Sequence, residues 1–337
     1  MISGTYVNGV IAAKEKYFLG EKMLRLCETD AESVLRALKE NGFGAADAES
    51  GDELRGGIEE IIAKEEDRLF AFVREYASCE AELQYFLAPS DVHNVKAAFK
   101  AKLLNEDAEK YFGRVGTIAT NTIKSAFESG NYDALPEYLQ RAIEAAEALC
   151  TDGVNGKGAS VGAVFEKAKY EHLKKACKKS VVLLKLLEKK ADLVNLTSAM
   201  RSADEGTFKE TFVTGGALAA DDFAFCFSES DVEAKKAYER ACFRGKKKAA
   251  AERVYGVYLR AREIGGVAEA EKAVAETEIA FFVEKRYELR EKEAFLYSGV
   301  RKASECANAR IVAVCLNAGM KESEIKRRLR GVEGARR

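Results

Sequence analysis

An all-α fold is what this sequence predicts, and three observations predict it. Only 2 prolines interrupt 337 residues, and an interior proline costs about 3 kcal/mol of helix stability. Ala, Glu, Lys and Leu, all strong helix formers, fill most of the chain. Apolar residues recur at three- and four-residue steps, whereas the two-residue alternation of strands is scarce.

The elements follow in order. A first helical stretch is expected from Thr5 to Leu19, then a helix–turn pattern in which Ala31, Val34, Leu35 and Leu38 make one apolar stripe. Asp30 is placed to cap that second helix, and Gly42 and Gly44 to stop it. Glu53 to Ala88 reads as a longer helical region ended by Pro89, with Ser90 or Asp91 capping the next helix. Leu135-Pro136 marks another start, before EYLQRAIEAAEAL. A glycine-rich break, DGVNGKGASVG, separates the halves near residue 155. One long amphipathic region is then expected from Phe165 to Val194, with a strongly basic outer side from Lys167 to Lys190. The pattern breaks at Asp204-Glu205-Gly206 and at Thr214-Gly215-Gly216, and from Asp231 onward it is helical with short turns at Gly245, Gly265-Gly266 and Gly319.

Composition excludes several functions. Lys+Arg number 54 and Asp+Glu 55, for a net charge of −1, which lacks the basic footprint of a dedicated nucleic-acid binder. The local basic clusters, Lys246-Lys247-Lys248 and the tail from Lys326 to Arg337, read as solvated surface. The 8 cysteines include no Cys-x-x-Cys pair and lie mostly in apolar or helical stretches, so reduced thiols in a cytoplasmic protein are expected. A bilayer span needs about 20 predominantly apolar residues, and the uncharged run Ile311–Met320 is among the longest in the chain. Contact with a membrane is therefore expected to run through another protein.

No catalytic constellation stands in the sequence. His93 and His172 are the only histidines, and neither belongs to a His-Glu-x-x-His or Glu-x-x-His motif. GVNGKGAS has only Val154 and Asn155 between Gly153 and Gly156, too few for a phosphate loop. Asp221-Asp222 begins like an Asp-rich magnesium motif, but position 225 is Phe, and two acids at a helix N-terminus account for the pair. The expectation is no catalytic residue, no metal and no cofactor, with an all-α magnesium enzyme built on Asp221 and Asp222 as a rival.

One pattern rises above generic helix. An Asn followed by an apolar helix with basic or small polar residues occurs at Asn94, Asn195 and Asn308, and more weakly at Asn8. Asn is unfavourable within helices because its amide competes for backbone hydrogen bonds. Its return at intervals near one hundred residues suggests repeated modules in which it makes a capping or interhelical bond.

The segments holding these residues resemble a known family. DVHNVKAAFKAKLLNED is similar to an element of the C subunit of V-type rotary ATPases, called d in eukaryotic enzymes. DLVNLTSAMRSADEG with FVTGGAL resembles the second such element, and CANARIVAVCLNAGMKESEIKRRLR the closing helices. YVNGVIAAKEKYFLGEKMLRL fits the opening more loosely. Gly9-Val10 stands where the family usually shows Ala-Arg, Thr197 stands for a usual Lys, and the aromatic that commonly follows the final Arg-Leu-Arg is missing.

The resemblance implies an all-α funnel of three related helical modules in pseudo-threefold arrangement. The modules would cover 1–90 (completed by C-terminal helices), 91–190 and 191–337. It implies a non-catalytic subunit that couples the central shaft to the proteolipid rotor ring, supporting ATP-driven ion transport or ATP synthesis. The partners implied are the ring and the shaft subunits, with no nucleic acid and with membrane contact only through the ring. The chain would be cytoplasmic, peripheral on the membrane through the complex, and monomeric when isolated. Lys96, Lys100, Arg201 and Arg310, one turn beyond the motif asparagines, are candidate partner-binding residues, and the basic stretch Lys174–Lys190 is another surface of that kind. The alternative is an unrelated helical scaffold or adaptor that binds peptides.

Overall fold

The computed structural model describes residues 4–14, 18–44, 57–150, 158–243, 247–284 and 291–332. Among these the regular elements are all helical. In chain order they are α1 (Gly4–Lys14), α2 (Lys22–Leu26), α3 (Ala31–Glu40), α4 (Ile58–Tyr76), α5 (Glu80–Leu104), α6 (Thr120–Ser129), α7 (Glu137–Cys150), α8 (Gly158–Ala176), α9 (Val181–Arg201) and α10 (Glu205–Thr211). Then come α11 (Asp231–Phe243), α12 (Lys248–Arg260), α13 (Val267–Glu284), α14 (Glu291–Asn317) and α15 (Glu322–Arg328). Short 3-10 helices at Ala108–Tyr111 and Ala220–Phe227 and a π-helical turn at Ala261–Gly265 complete the set.

Local chemistry sets many of the boundaries. Asp30 accepts the Ser33 N–H at 2.7 Å and opens α3, whereas Gly42 and Gly44 adopt positive φ just beyond its end. At the end of α14, Gly319 has φ +66° and the Met320 N–H reaches back to the Cys315 carbonyl at 3.0 Å. This left-handed position favours a residue without Cβ.

Three boundaries differ from the sequence reading. The break expected at Pro89 lies earlier, at 77–79, and α5 runs through Pro89. There Ser78 supplies its N–H to Glu82 at 2.7 Å and its hydroxyl to the same carboxylate at 3.1 Å, fixing a new helix start. Asp91, expected as a cap, is thus an interior residue of α5. The long region Phe165–Val194 is two helices, because Ser180 accepts the Leu183 N–H and starts α9 afresh. Within 204–211 the chain forms α10, with Asp204 as its cap at 2.8 Å from the Thr207 nitrogen. The expected break near residue 155 and the turn at Gly245 lie outside the described residues.

The chain divides into two compact units, 1–82 with 275–337, and 83–274. In the first, α14 packs on α1 and α4, and Met23, Val34, Leu38, Phe43, Ile62, Val312 and Ile325 meet in one core. The second unit holds two cores. Val95, Phe99, Ile123, Leu139, Ile143 and Phe165 gather α5 through α8. Leu193, Leu196, Phe208, Phe223, Phe225, Val254 and Tyr258 gather α9 through α12. Each of the three cores is crossed by one long helix bearing a buried asparagine, on α5, α9 or α14.

Candidate functional site

Those three asparagines perform one operation. Asn195 on α9 accepts the Val213 N–H at 2.8 Å and donates its amide to the Val213 carbonyl at 2.8 Å. Asn308 on α14 does the same with Arg330, at 2.9 and 2.8 Å. Asn94 on α5 accepts the Gly113 N–H at 2.7 Å and donates to the Arg114 carbonyl at 3.2 Å. In each case a long helix is followed by a short helix, and the segment leaving that short helix returns to be held. The side chain offers one acceptor and one donor in a fixed plane, matching the two polar groups of an extended peptide. All three asparagines are buried; the two bonds at Val213 are buried with Asn195, whereas those of Asn94 and Asn308 are partly buried.

A carboxylate three residues earlier on the same helix face makes each clamp double. Asp91 accepts from the Thr117 N–H at 2.9 Å, the Thr117 hydroxyl at 2.6 Å and the Ile118 N–H at 2.9 Å. Asp192 accepts the Leu218 N–H at 3.1 Å and the Arg253 guanidinium at 3.0 Å. Glu305 instead accepts the Gly20 N–H at 2.9 Å, joining the chain's first stretch to α14. Close approach requires glycine at two of these loops. A Cβ on Gly116 would lie 2.3 Å from Oδ1 of Asp91, and one on Gly216 would lie 2.2 Å from Oδ1 of Asp192. The sequence reading takes Asp91 for a helix cap and passes over Asp192 and Glu305, although the common spacing is legible as Asp-Val-His-Asn, Asp-Leu-Val-Asn and Glu-Cys-Ala-Asn.

Asn8 departs from the group. It lies half-buried on α1, and its Oδ1 is buried without a hydrogen-bond partner among the described residues. The position three before it is Thr5, not an acid.

The electrostatics of the clamps are uneven. Burial pushes the Asp192 carboxyl up to about 6, against the opposing pull of the Leu218 N–H and the Arg253 guanidinium. Near Glu305, Lys302 sits 3.4 Å from its carboxylate and 3.2 Å from that of Glu65, with its ammonium also over the Phe18 and Phe43 rings. This buried ion group lies inside the first unit, where losing one partner would leave an uncompensated charge.

The four basic candidates divide. Arg310 forks onto α4, reaching Glu59 at 2.8 Å and Glu66 at 2.9 Å, and both carboxylates hold it charged. Arg201 pairs with Glu271. Lys96 and Lys100 are half-buried on α5 and form no ion pair among the described residues.

The pair Asp221 and Asp222 is engaged with protein. Asp222 accepts the Ala219 N–H at 2.8 Å and faces Lys247 at 3.0 Å, and Asp221 faces Lys209 at 3.0 Å. His172 stacks on Tyr138 at 3.9 Å and lies 2.8 Å from the Gln84 amide oxygen. Among the described residues no group of three or more His, Cys, Asp or Glu is placed to hold a metal ion, and no helix is long and apolar enough to cross a membrane.

An all-α protein whose most distinctive polar residues fasten its own backbone belongs to the class of all-helical proteins with internally clamped cores. Comparison with known families places it within that class: the family model of the ATP synthase (C/AC39) subunit matches residues 7–328. The chain belongs to that family, which comprises the C and d subunits of V-type ATP synthases and ATPases. A search of curated proteins matched none.

Proposed function

We propose that this chain is the non-catalytic coupling subunit of a V-type rotary ATPase, seating the central shaft on the membrane proteolipid ring. The observation that carries this reading is the family match over residues 7–328, nearly the whole chain. The clamps fit it mechanically. A part that transmits torque must resist deformation, and close-packed helices whose returning segments are pinned by paired side-chain bonds have few soft joints.

In this reading the three clamped helices mark three modules arranged as a pseudo-threefold funnel, its base on the ring and its cavity around the shaft. Lys96, Lys100, Arg201 and Arg310 are proposed contact residues. Lys96 and Lys100 are the two not committed to an internal ion pair among the described residues.

The test is affinity purification of the tagged chain from gently solubilised membranes, with partners identified by mass. Recovery of the ring and shaft subunits, independent of ATP, is expected. A chain recovered without them, from cells that express a V-type ATPase, would overturn the reading.

A further inference from the structure

The turn between α8 and α9 carries a concentration of exposed positive charge. Residues 167–190 contain 9 lysines, 2 glutamates and no arginine. Lys174, Lys175, Lys178, Lys179 and Lys185 are exposed, and none forms an ion pair among the described residues. Val181, the first residue of α9, projects among them with 66 % of its surface open to solvent.

Lysines this dense are not required by the helices. The favourable interaction with the C-terminal dipole of α8 falls off within one turn, yet Lys185 lies on α9 and the remaining lysines repel one another. Of the five exposed lysines, Lys174 lies against the Gly215 backbone, where a Cβ would come within 2.9 Å of its Nζ. The cluster therefore costs stability in the isolated chain and is relieved by a polyanion.

The chemistry of the cluster selects among polyanions. Guanidinium forks match individual carboxylates or phosphates in fixed geometry, and this stretch has none. Ammonium groups are compact point charges that respond to a smeared negative potential. Near an anionic leaflet each basic residue of such a patch gains about 1 kcal/mol from the surface potential. An exposed aliphatic side chain within the cluster adds an apolar contact at headgroup depth.

We propose that the α8–α9 turn binds the headgroup surface of an anionic lipid bilayer, through Lys175, Lys178, Lys179 and Lys185, with Val181 entering the interface. This contact is independent of the role proposed above, and it adds a direct membrane contact to the ring-mediated one expected from the sequence.

The full-length chain is sedimented with vesicles of phosphatidylcholine alone and of phosphatidylcholine mixed with phosphatidylglycerol. The chain is expected to sediment with the mixed vesicles, not with the neutral ones, and to be released as salt shortens the screening length to about 3 Å at 1 M. Lys178→Glu/Lys179→Glu/Lys185→Glu should weaken binding roughly a hundredfold, each lysine being worth about fivefold near such a surface. Val181→Ser should weaken it by a smaller factor. All four side chains are exposed, so the variants should unfold at temperatures no lower than the parent, which separates lost binding from lost fold. Absence of binding to the mixed vesicles, or a triple variant that binds like the parent, would overturn the proposal. So would capture of the same lysines by poly-glutamate when vesicles leave the chain in solution, because the surface would then be one for acidic protein.

Discussion

Asn195 and Asn308 make the same pair of backbone bonds, but the carboxylates beside them reach in opposite directions along the chain. Asp192 holds Leu218, 26 residues downstream, whereas Glu305 holds Gly20, 285 residues upstream. One double clamp closes a contiguous stretch, and the other ties the beginning of the chain to its last long helix. A short carboxylate suffices where the held loop lies against the helix, as at Gly216. The same local device thus builds a local module once and a discontinuous one another time.

The contrast can be broken by substitution. The largest effect is expected for Gly216→Ala, where the new Cβ displaces Asp192 and opens both its backbone bond and its bridge to Arg253. Overpacking together with a buried unpaired charge should cost about 3 kcal/mol or more in urea unfolding. Asn195→Ala follows, at about 2–3 kcal/mol, because two buried backbone groups of Val213 lose their partners. Asn308→Ala should cost less, about 1–2 kcal/mol, since the bonds it loses at Arg330 are only partly buried. Asn8→Ala should change the midpoint hardly at all. Equal losses at Asn195 and Asn8 would remove the idea that the double clamp, and not asparagine itself, is the stabilising unit.

Acidity sharpens the comparison further. The folded-state value of Asp192 lies near 6, above the ordinary aspartate value of about 3.9. Its contribution to stability is therefore fully present below about pH 4 and lost as pH rises through about 6. Relative to Asp192→Asn, the parent should gain stability as pH falls from neutral to about 4.5, by up to roughly 2 kcal/mol. Parallel pH profiles of the two proteins would refute that assignment. A smaller effect is expected at Arg310→Lys, which keeps charge but loses the fork onto Glu59 and Glu66. About 0.5–1 kcal/mol is expected from double-mutant cycles with Glu66→Gln.

Much of this is legible in the sequence, for identifiable reasons. Helix periodicity is a one-dimensional signal, so the all-α class and caps such as Asp30 can be read directly. The recurrence of Asn before an apolar helix is visible, because a residue unfavourable within helices stands out. What escapes is the partner of each clamp. Asp192 and Glu305 look like ordinary helix surface, and Asp91 like a cap, until the fold brings Leu218, Gly20 and Thr117 to them. Pro89 misleads because proline usually ends a helix; here Glu82 has already fixed a start just after 77–79, and the helix carries through. The absence of an acid at position 5 is enough, from sequence alone, to separate Asn8 from the other three.

Coupling is the central claim, and loss and restoration of ion transport test it most directly. Membranes carrying the V-type ATPase are depleted of this chain, and ATP hydrolysis and ion transport are measured before and after the purified chain is added back. The account predicts hydrolysis without transport in depleted membranes, and recovery of transport with the added chain. Transport that continues at full rate without it would contradict the account.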